Sequence, residues 1–276
     1  MSWFKLFLTI PWSARIGVLL ILFFSFCAVF APWLAPYGES EVVGDVWEPI
    51  GGNYVFGTDQ IGRDLLSRLI FGARNTISLA LFTTACAFLF GSILGLIAAT
   101  MRGIVDQVLS RFVDIIISIP TLIFALIMLS AVGTAIPSLV TIISIIYAMP
   151  VYRIARAVAM DIEVMEYVEV ARLRGEGLWW IMRREILPNA LTPLAAEFGV
   201  RFCFVFLLIS GLSFLGLGLQ PPLADWGAMV QENGAGIAWG FYHPLIPASC
   251  IALLTIGINL MVDHIVHKAS GLRDEH

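Results

Sequence analysis

An all-α integral membrane fold, with six spanning helices and a cytoplasmic helix–turn–helix elbow between the fourth and fifth, is the architecture to which this sequence points. Composition is the first ground: the 276 residues are 59% hydrophobic and 13% charged, where a soluble domain carries roughly a quarter charged residues. The second is run length. A spanning helix needs about 20 mainly apolar residues, and backbone in lipid must satisfy its own hydrogen bonds, so apolar runs of that length are expected to be helices. Six such runs occur: Ile16–Leu34, Thr76–Met101, Phe112–Val132, Pro137–Ile154, Leu191–Gly216 and Leu245–Val266. Together they make residues 1–276 a single transmembrane domain. The third ground is the placement of basic residues and tryptophans, taken up below.

The first run is longer than the apolar part of a signal peptide and lacks a small-x-small cleavage site followed by a soluble domain, so a retained first helix is expected. Residues 35–75 form an extracytoplasmic loop. Near its end, "FGTDQIGRDLLSRLIFGAR" (Phe56 to Arg74) offers Thr58 or Asp59 as a helix cap. Ile61, Leu65 and Leu69 then stripe one face, and Arg63, Asp64, Ser67 and Arg68 the other. That pattern predicts an amphipathic helix on the outer interface with its charges wet; direct contact with a solute is the alternative. Pro120 and Pro150 fall within or beside the third and fourth spans, where they are expected to kink rather than end them. Around the end of the fifth span, Gly211, Gly216 and Gly218 are suited to close helix packing, with a part in an outer gate as the sharper alternative.

With the N-terminus in the cytoplasm, most of the sixteen Lys and Arg residues lie inside, from Lys5 and Arg15 to Lys268 and Arg273, and only Arg63, Arg68 and Arg74 lie outside. The positive-inside rule then favours both termini in the cytoplasm. The eight tryptophans fall near or beyond span ends, where an amphipathic ring prefers the headgroup level.

This orientation puts residues 157–190 in the cytoplasm, and the stretch is unlike its surroundings. Acids and arginines crowd between Glu163 and Glu185 in an otherwise oily chain. Val164, Val168 and Ala171 follow i, i+4, i+7 spacing, giving an apolar stripe flanked by Glu163, Glu166, Glu169 and Arg172. Gly175 and Gly177 stop that helix; Leu178, Ile181 and Met182 form a second short turn, which Pro188 is expected to end. On composition alone, an ordinary interfacial loop lying on lipid is the favoured reading.

Residue order adds a resemblance. "EYVEVARLRGEGLWWIMRREILPNALTPL" (Glu166 to Leu194) resembles the EAA loop of the membrane subunits of ATP-binding cassette importers: Glu169, Ala171, Gly175, Leu187 and Pro188 are in register, while Val170 replaces an alanine and Glu185 an isoleucine. "FGTDQIGRDLLSRLIFGAR" and "SFLGLGLQPPLADWGAMV" (Ser213 to Val230) are similar to stretches of one branch, the dipeptide, oligopeptide, opine and nickel importer permeases of the C type. The tail departs from it: "INLMVDHIVHKASGLRDEH" keeps Asn259, Leu260 and Asp263 and then diverges. The resemblance implies that the elbow, with Val168, Glu169, Ala171, Gly175, Leu187 and Pro188, is a coupling helix docking in a groove of an ATPase, which would give an apolar stripe without a partner of its own a place to go. It also implies a second, similar permease forming a heterodimer, two ATPase subunits that bind ATP and Mg, an extracytoplasmic solute-binding protein, and a bacterial inner membrane. Within the branch, peptides or peptide-like solutes are the expected cargo, with opines or nickel as alternatives.

Other classes fit less well. There is no basic surface for nucleic acid, with a net charge of −4. No G-x-x-x-x-G-K-[ST] stretch occurs, so this chain is not expected to hydrolyse ATP or to hold a cofactor. Cys27, Cys86, Cys203 and Cys250 stand alone in apolar runs and read as buried hydrophobes. Asp263, His264 and His267 lack a third ligand at metal-binding spacing, so no metal is expected. Ser213 has no histidine at comparable depth to make a protease nucleophile. A self-sufficient secondary transporter would want partnered charges at the midplane, whereas Asp114 with Arg111, and Glu197 with Arg201, are expected to pair locally near the interface.

Overall fold

The computed structural model describes residues 11–269, with side chains to residue 266. Lys5, Trp3, Arg273 and the divergent tail beyond residue 269 lie outside the described residues, as do the side chains of His267 and Lys268. Ten helices concern the argument: α1 (Trp12–Val29), α2 (Leu65–Met101), α3 (Gly103–Ile117), α4 (Thr121–Val132), α5 (Ile136–Glu163), α6 (Glu166–Leu173), α7 (Leu178–Ile181), α8 (Leu187–Phe214), α9 (Trp226–Asn233) and α10 (Leu245–Ala269). Five helical stretches among the described residues are long and apolar enough to cross a membrane, and a bent pair, α3 with α4, makes a sixth.

The scaffold is the parallel pair α2 and α5, the most extensively packed among the described helices, with Thr83 beside Ser144 near one end and Arg102 beside Glu163 at the other. Their approach is set by Gly91 and Gly95, one turn apart on α2: a Cβ at Gly91 would stand 2.5 Å from the Ala148 carbonyl, and one at Gly95 would stand 2.7 Å from that of Tyr152. Missing side chains let backbones meet where lipid supplies no hydrophobic drive for association. Helix α1 leans on α10, and α8 packs against α2, α5 and α10. The main core runs through these helices around Leu129, Ile143, Phe206 and Ile209. Pro150 lies inside α5 without ending it.

Several expectations are corrected. The second span is not preceded by a separate amphipathic helix: residues 56–64 are loop, and α2 begins at Leu65 and runs for 37 residues. Its polar residues are not wet. Arg63, Asp64, Ser67 and Arg68 are buried, and Ile61 of the expected apolar face is exposed. The third span does not kink at Pro120; it breaks there, with α3 and α4 at 88°. Proline removes a donor and disfavours helix at the residue before it, and at the break the Ser118 hydroxyl takes up the Ile115 carbonyl at 2.7 Å. Trp226 is not an exposed ring at a span end. It is buried at 1% exposure, with Phe24 and Phe206 edge-on to its ring and its indole N–H donating to the Leu69 carbonyl at 2.9 Å. Asp114 pairs not with Arg111 but with Arg153 of α5, at 2.6 Å, whereas the Glu197–Arg201 pair forms as expected.

Candidate functional site

The elbow over residues 163–190 is built from the ends of three long helices. Helix α5 stops at Glu163, whose side chain is fully buried between two arginines. Arg102, at the α2–α3 junction, donates from Nη2 at 2.9 Å, and Arg172 of α6 approaches from the other side. One carboxylate therefore ties α2, α5 and the elbow helix together. Sequence reasoning placed Glu163 and Arg172 merely as flanks of a stripe and missed this role; nine residues separate them and sixty-one separate Glu163 from Arg102, so no local spacing announces it.

Helix α6 is amphipathic in an unexpected sense. Val168 and Ala171 are fully buried, against Leu96, Ala155, Ala159, Ile181 and Ile186. The expected apolar stripe thus has a partner within the chain, and Val164, its first member, lies outside the helix and is exposed. Another apolar face remains uncovered: Tyr167, Val170 and Leu173, the last 81% exposed, with Leu178 and Trp179 beside them. Around it stand Glu166, Glu169, Arg174 and, half-buried, Glu176.

Gly175 ends α6. Its φ of +85° is left-handed, its N–H donates to the Arg172 carbonyl at 2.9 Å, and the N–H of Glu176 reaches the Ala171 carbonyl at 3.2 Å. These paired bonds define a Schellman stop, which favours glycine. No atom lies within 4 Å of a Cβ placed there, so within this chain backbone conformation, not crowding, is what requires glycine.

The second arm does not end at Pro188. Helix α7 continues through a π turn, Met182–Ile186, into α8, and the stretch Leu178–Phe214 is one apolar helical rod of 37 residues. Proline in a helix clashes with the carbonyl four residues back, and a widened turn relieves that clash. Asn189 takes up the Glu185 carbonyl through its Nδ2 at 2.7 Å. Leu187 is half-buried against the Val168 cluster, while Pro188 and Glu169 are exposed.

On the opposite side of the molecule lies a second constellation. Asp59 is buried and accepts from the backbone N–H of Ile61 and Arg63, both at 3.0 Å, and from Arg63 Nε and Arg68 Nη1, both at 2.6 Å. Glu232 on α9 accepts from the same two arginines at 2.9 and 2.6 Å. Two acids and two arginines close a neutral network between the start of α2 and α9. Asp225 caps α9 through Ala228 N and accepts from Thr76 of α2 at 2.9 Å. Burial raises the Asp59 carboxyl, but the Arg63 and Ile61 amides and the two guanidiniums outweigh it and hold it below the usual carboxylate range. At Asp225, burial outweighs the hydrogen bonds and pushes the carboxyl up.

The three glycines of the fifth span separate. Gly218 is closely packed, since a Cβ would stand 1.8 Å from Ser213 Oγ; Gly216, with φ +81°, is the left-handed residue closing α8; Gly211 has no atom within 4 Å of a Cβ position. Gly218 is therefore crowded by the end of its own helix, and no atom of the described chain crowds Gly211 or Gly216. Among the described residues no cluster of His, Cys, Asp and Glu could hold a metal ion.

Residues 91–270 match the family described as "Binding-protein-dependent transport system inner membrane component". The chain is 35% identical, over 94% of its length and 85% of the other, to the di/tripeptide transport system permease protein DppC of Pseudomonas aeruginosa. It is 32% identical to the probable D,D-dipeptide transport system permease protein DdpC of Escherichia coli, over 95% and 85%. In fold it is similar to the crystal structure of an amino acid ABC transporter with histidines, at a TM-score of 0.56 and 20% identity, over 74% of this chain and 94% of that one. A multi-pass helical chain matched by this family over most of its length belongs to it: the protein is an inner membrane component of a binding-protein-dependent, ATP-binding cassette transport system.

Proposed function

We propose that this chain is one permease half of an importer for peptides or peptide-like solutes, coupled through its elbow to separate ATPase subunits. The observation that carries the coupling is the uncovered apolar face of α6, Tyr167, Val170 and Leu173, standing on a fully packed underside of Val168 and Ala171. An apolar patch ringed by charge is what a protein partner covers. The peptide cargo is supported by the relatives at 35% and 32% identity, which are named for di/tripeptide and D,D-dipeptide transport.

The residues have separable roles in this reading. Tyr167, Val170, Leu173 and the neighbouring Glu169 meet the ATPase. Gly175 sets the turn, and Glu163 clamps the elbow to α2 and α5. The rod from Leu178 through Pro188 to Phe214 carries displacement of the elbow into the membrane, because its π turn keeps it continuous. ATP and Mg are bound by the partner ATPases. Closure of those subunits rocks the helices between inward-open and outward-open states. A second, similar permease completes the path, an extracytoplasmic binding protein delivers the solute to the side of the Asp59–Glu232 network, and both termini are cytoplasmic.

Purification in mild detergent after expression with the neighbouring genes tests this. ATPase chains should co-purify, and vesicles should take up a labelled tripeptide only with ATP inside and binding protein outside. Uptake by this polypeptide alone would make it a secondary transporter instead.

A further inference from the structure

Helix α3 carries an arrangement that the coupling role does not use. Asp106, Gln107, Ser110, Arg111 and Asp114 fall on one side of it, and with Arg156 of α5 they line an open cavity of about 680 Å³. Two ion pairs close within this wall: Arg156 holds Asp106 with Nη2 at 2.6 Å from Oδ2, and Arg153 holds Asp114 at 2.6 Å. Ser110 and Tyr152 share a hydrogen bond of 2.9 Å. That leaves Arg111, exposed and, among the described residues, without an acidic partner; Gln107 sits one turn before it, also exposed. Each pair is neutral, so the wall presents one uncompensated positive charge.

Depth makes this informative. Arg153 is seventeen residues from the Ile136 end of α5, about 26 Å of helix at about 1.5 Å per residue, which brings it to the far edge of a hydrocarbon layer of about 30 Å. Yet Arg153 and Asp114 are each about half exposed in this chain. Asp106, Arg111, Asp114, Arg153 and Arg156 gathered on one wall make a surface for water or another protein chain rather than for lipid tails.

We propose that this polar face of α3 lines a water-filled part of the solute path towards the cytoplasm, and that Arg111 receives the carboxylate of the passing peptide, with the Gln107 amide as a further donor. The assignment rests on the peptide reading above. A guanidinium is suited to a carboxylate because its N–H groups match the two oxygens in a fixed plane.

The test uses the complete importer in proteoliposomes, with the binding protein constant and two probes it is first shown to bind: trialanine and trialanine amide. Arg111→Gln should lower uptake of the free acid about tenfold, the loss of a charge-assisted bond, and leave the amide nearly unchanged; Arg111→Lys should restore much of the acid's uptake. Separately, Gln107→Cys in the assembled importer should react with a membrane-impermeant thiol reagent added to the cytoplasmic side. Equal effects of Arg111→Gln on both probes in an assembled importer overturn the carboxylate assignment. An unreactive Gln107→Cys puts the face against lipid or a partner subunit and overturns the aqueous path, whether or not Arg111→Gln assembles. A wild-type importer that moves neither probe, with a Gln107→Cys variant that does react, sinks the peptide reading and the carboxylate assignment while leaving the water-filled path standing.

Discussion

The two ends of this molecule solve the same problem in opposite ways. At the end where α2 begins, charge goes inward: Asp59, Arg63 and Arg68 are buried and, with Glu232, pair in a network that joins α2 to α9. At the other end, one buried carboxylate, Glu163, holds the elbow, and the apolar residues Tyr167, Val170 and Leu173 stay uncovered. In the outer network every charge has an opposite partner within the chain, although Arg68 Nε stays buried without a hydrogen bond. The elbow is incomplete, and what it lacks is a covering surface. Mutations in the two regions should therefore fail differently, the outer ones by loss of fold and the inner ones by loss of partner.

The largest effect is expected at Arg68. Its removal leaves Asp59 and Glu232 sharing Arg63 alone in a buried site, and breaking a buried pair from one side costs about 3–5 kcal/mol. Arg68→Ala should lower the thermal midpoint of the detergent-purified protein sharply, or prevent its accumulation. A small shift would mean that water reaches the network and that the outer end is not the self-contained unit described here.

Acid should separate the regions next. The Asp59 carboxyl is held below its ordinary range in the folded protein, so its contribution to stability is fully present above the unfolded value near pH ~4 and is lost as pH falls through the folded one. Asp225, raised, works the other way: its ionised form is disfavoured in the fold, and that cost disappears as it is protonated. Protease protection of the outer loop should hold from neutrality to about pH 4 and weaken only below. Asp59→Asn should remove that acid-dependent loss and start from lower stability.

Glu163→Gln comes third. Its two arginine partners are each about half exposed, which limits the loss to about 1–2 kcal/mol. The elbow should loosen while the bundle stays folded, visible as faster hydrogen exchange across 163–176 and unchanged exchange in the middle of α2. Gly175→Ala is milder still, about 1 kcal/mol for a side chain in a left-handed conformation, since nothing crowds the site.

How far these regions were legible in the sequence follows from the same contrast. Long apolar runs announce helices whatever packs around them, so α1, α2, α5, α8 and α10 could be found without tertiary information. The break at Pro120 could not, because Pro150 looks equally disruptive in sequence and is carried inside α5; neighbours decide which ladder is repaired. At the outer end, the pattern of Arg63, Asp64, Ser67 and Arg68 opposite Leu65 and Leu69 reads as a wet face, since the partner that makes burial tolerable, Glu232, is 164 residues from Arg68. The elbow's register in Glu169, Ala171, Gly175, Leu187 and Pro188 was visible, and so was the turn at Gly175. Which face of α6 is free was not: Val168 and Ala171 meet Leu96, Ala155 and Ile186, and such convergence leaves no trace in local spacing.

The smallest expected change in fold stability accompanies the sharpest functional test. Leu173 is 81% exposed, so Leu173→Glu should shift stability by no more than about 0.5 kcal/mol. If the elbow's outer face is the surface that an ATPase covers, a carboxylate at its most exposed apolar position should abolish co-purification of the ATPase chains and ATP-driven uptake, at an unchanged thermal midpoint and with the partner permease still bound. Full retention of the ATPases and full transport by Leu173→Glu would contradict the assignment of this face and return the elbow to a loop resting on lipid.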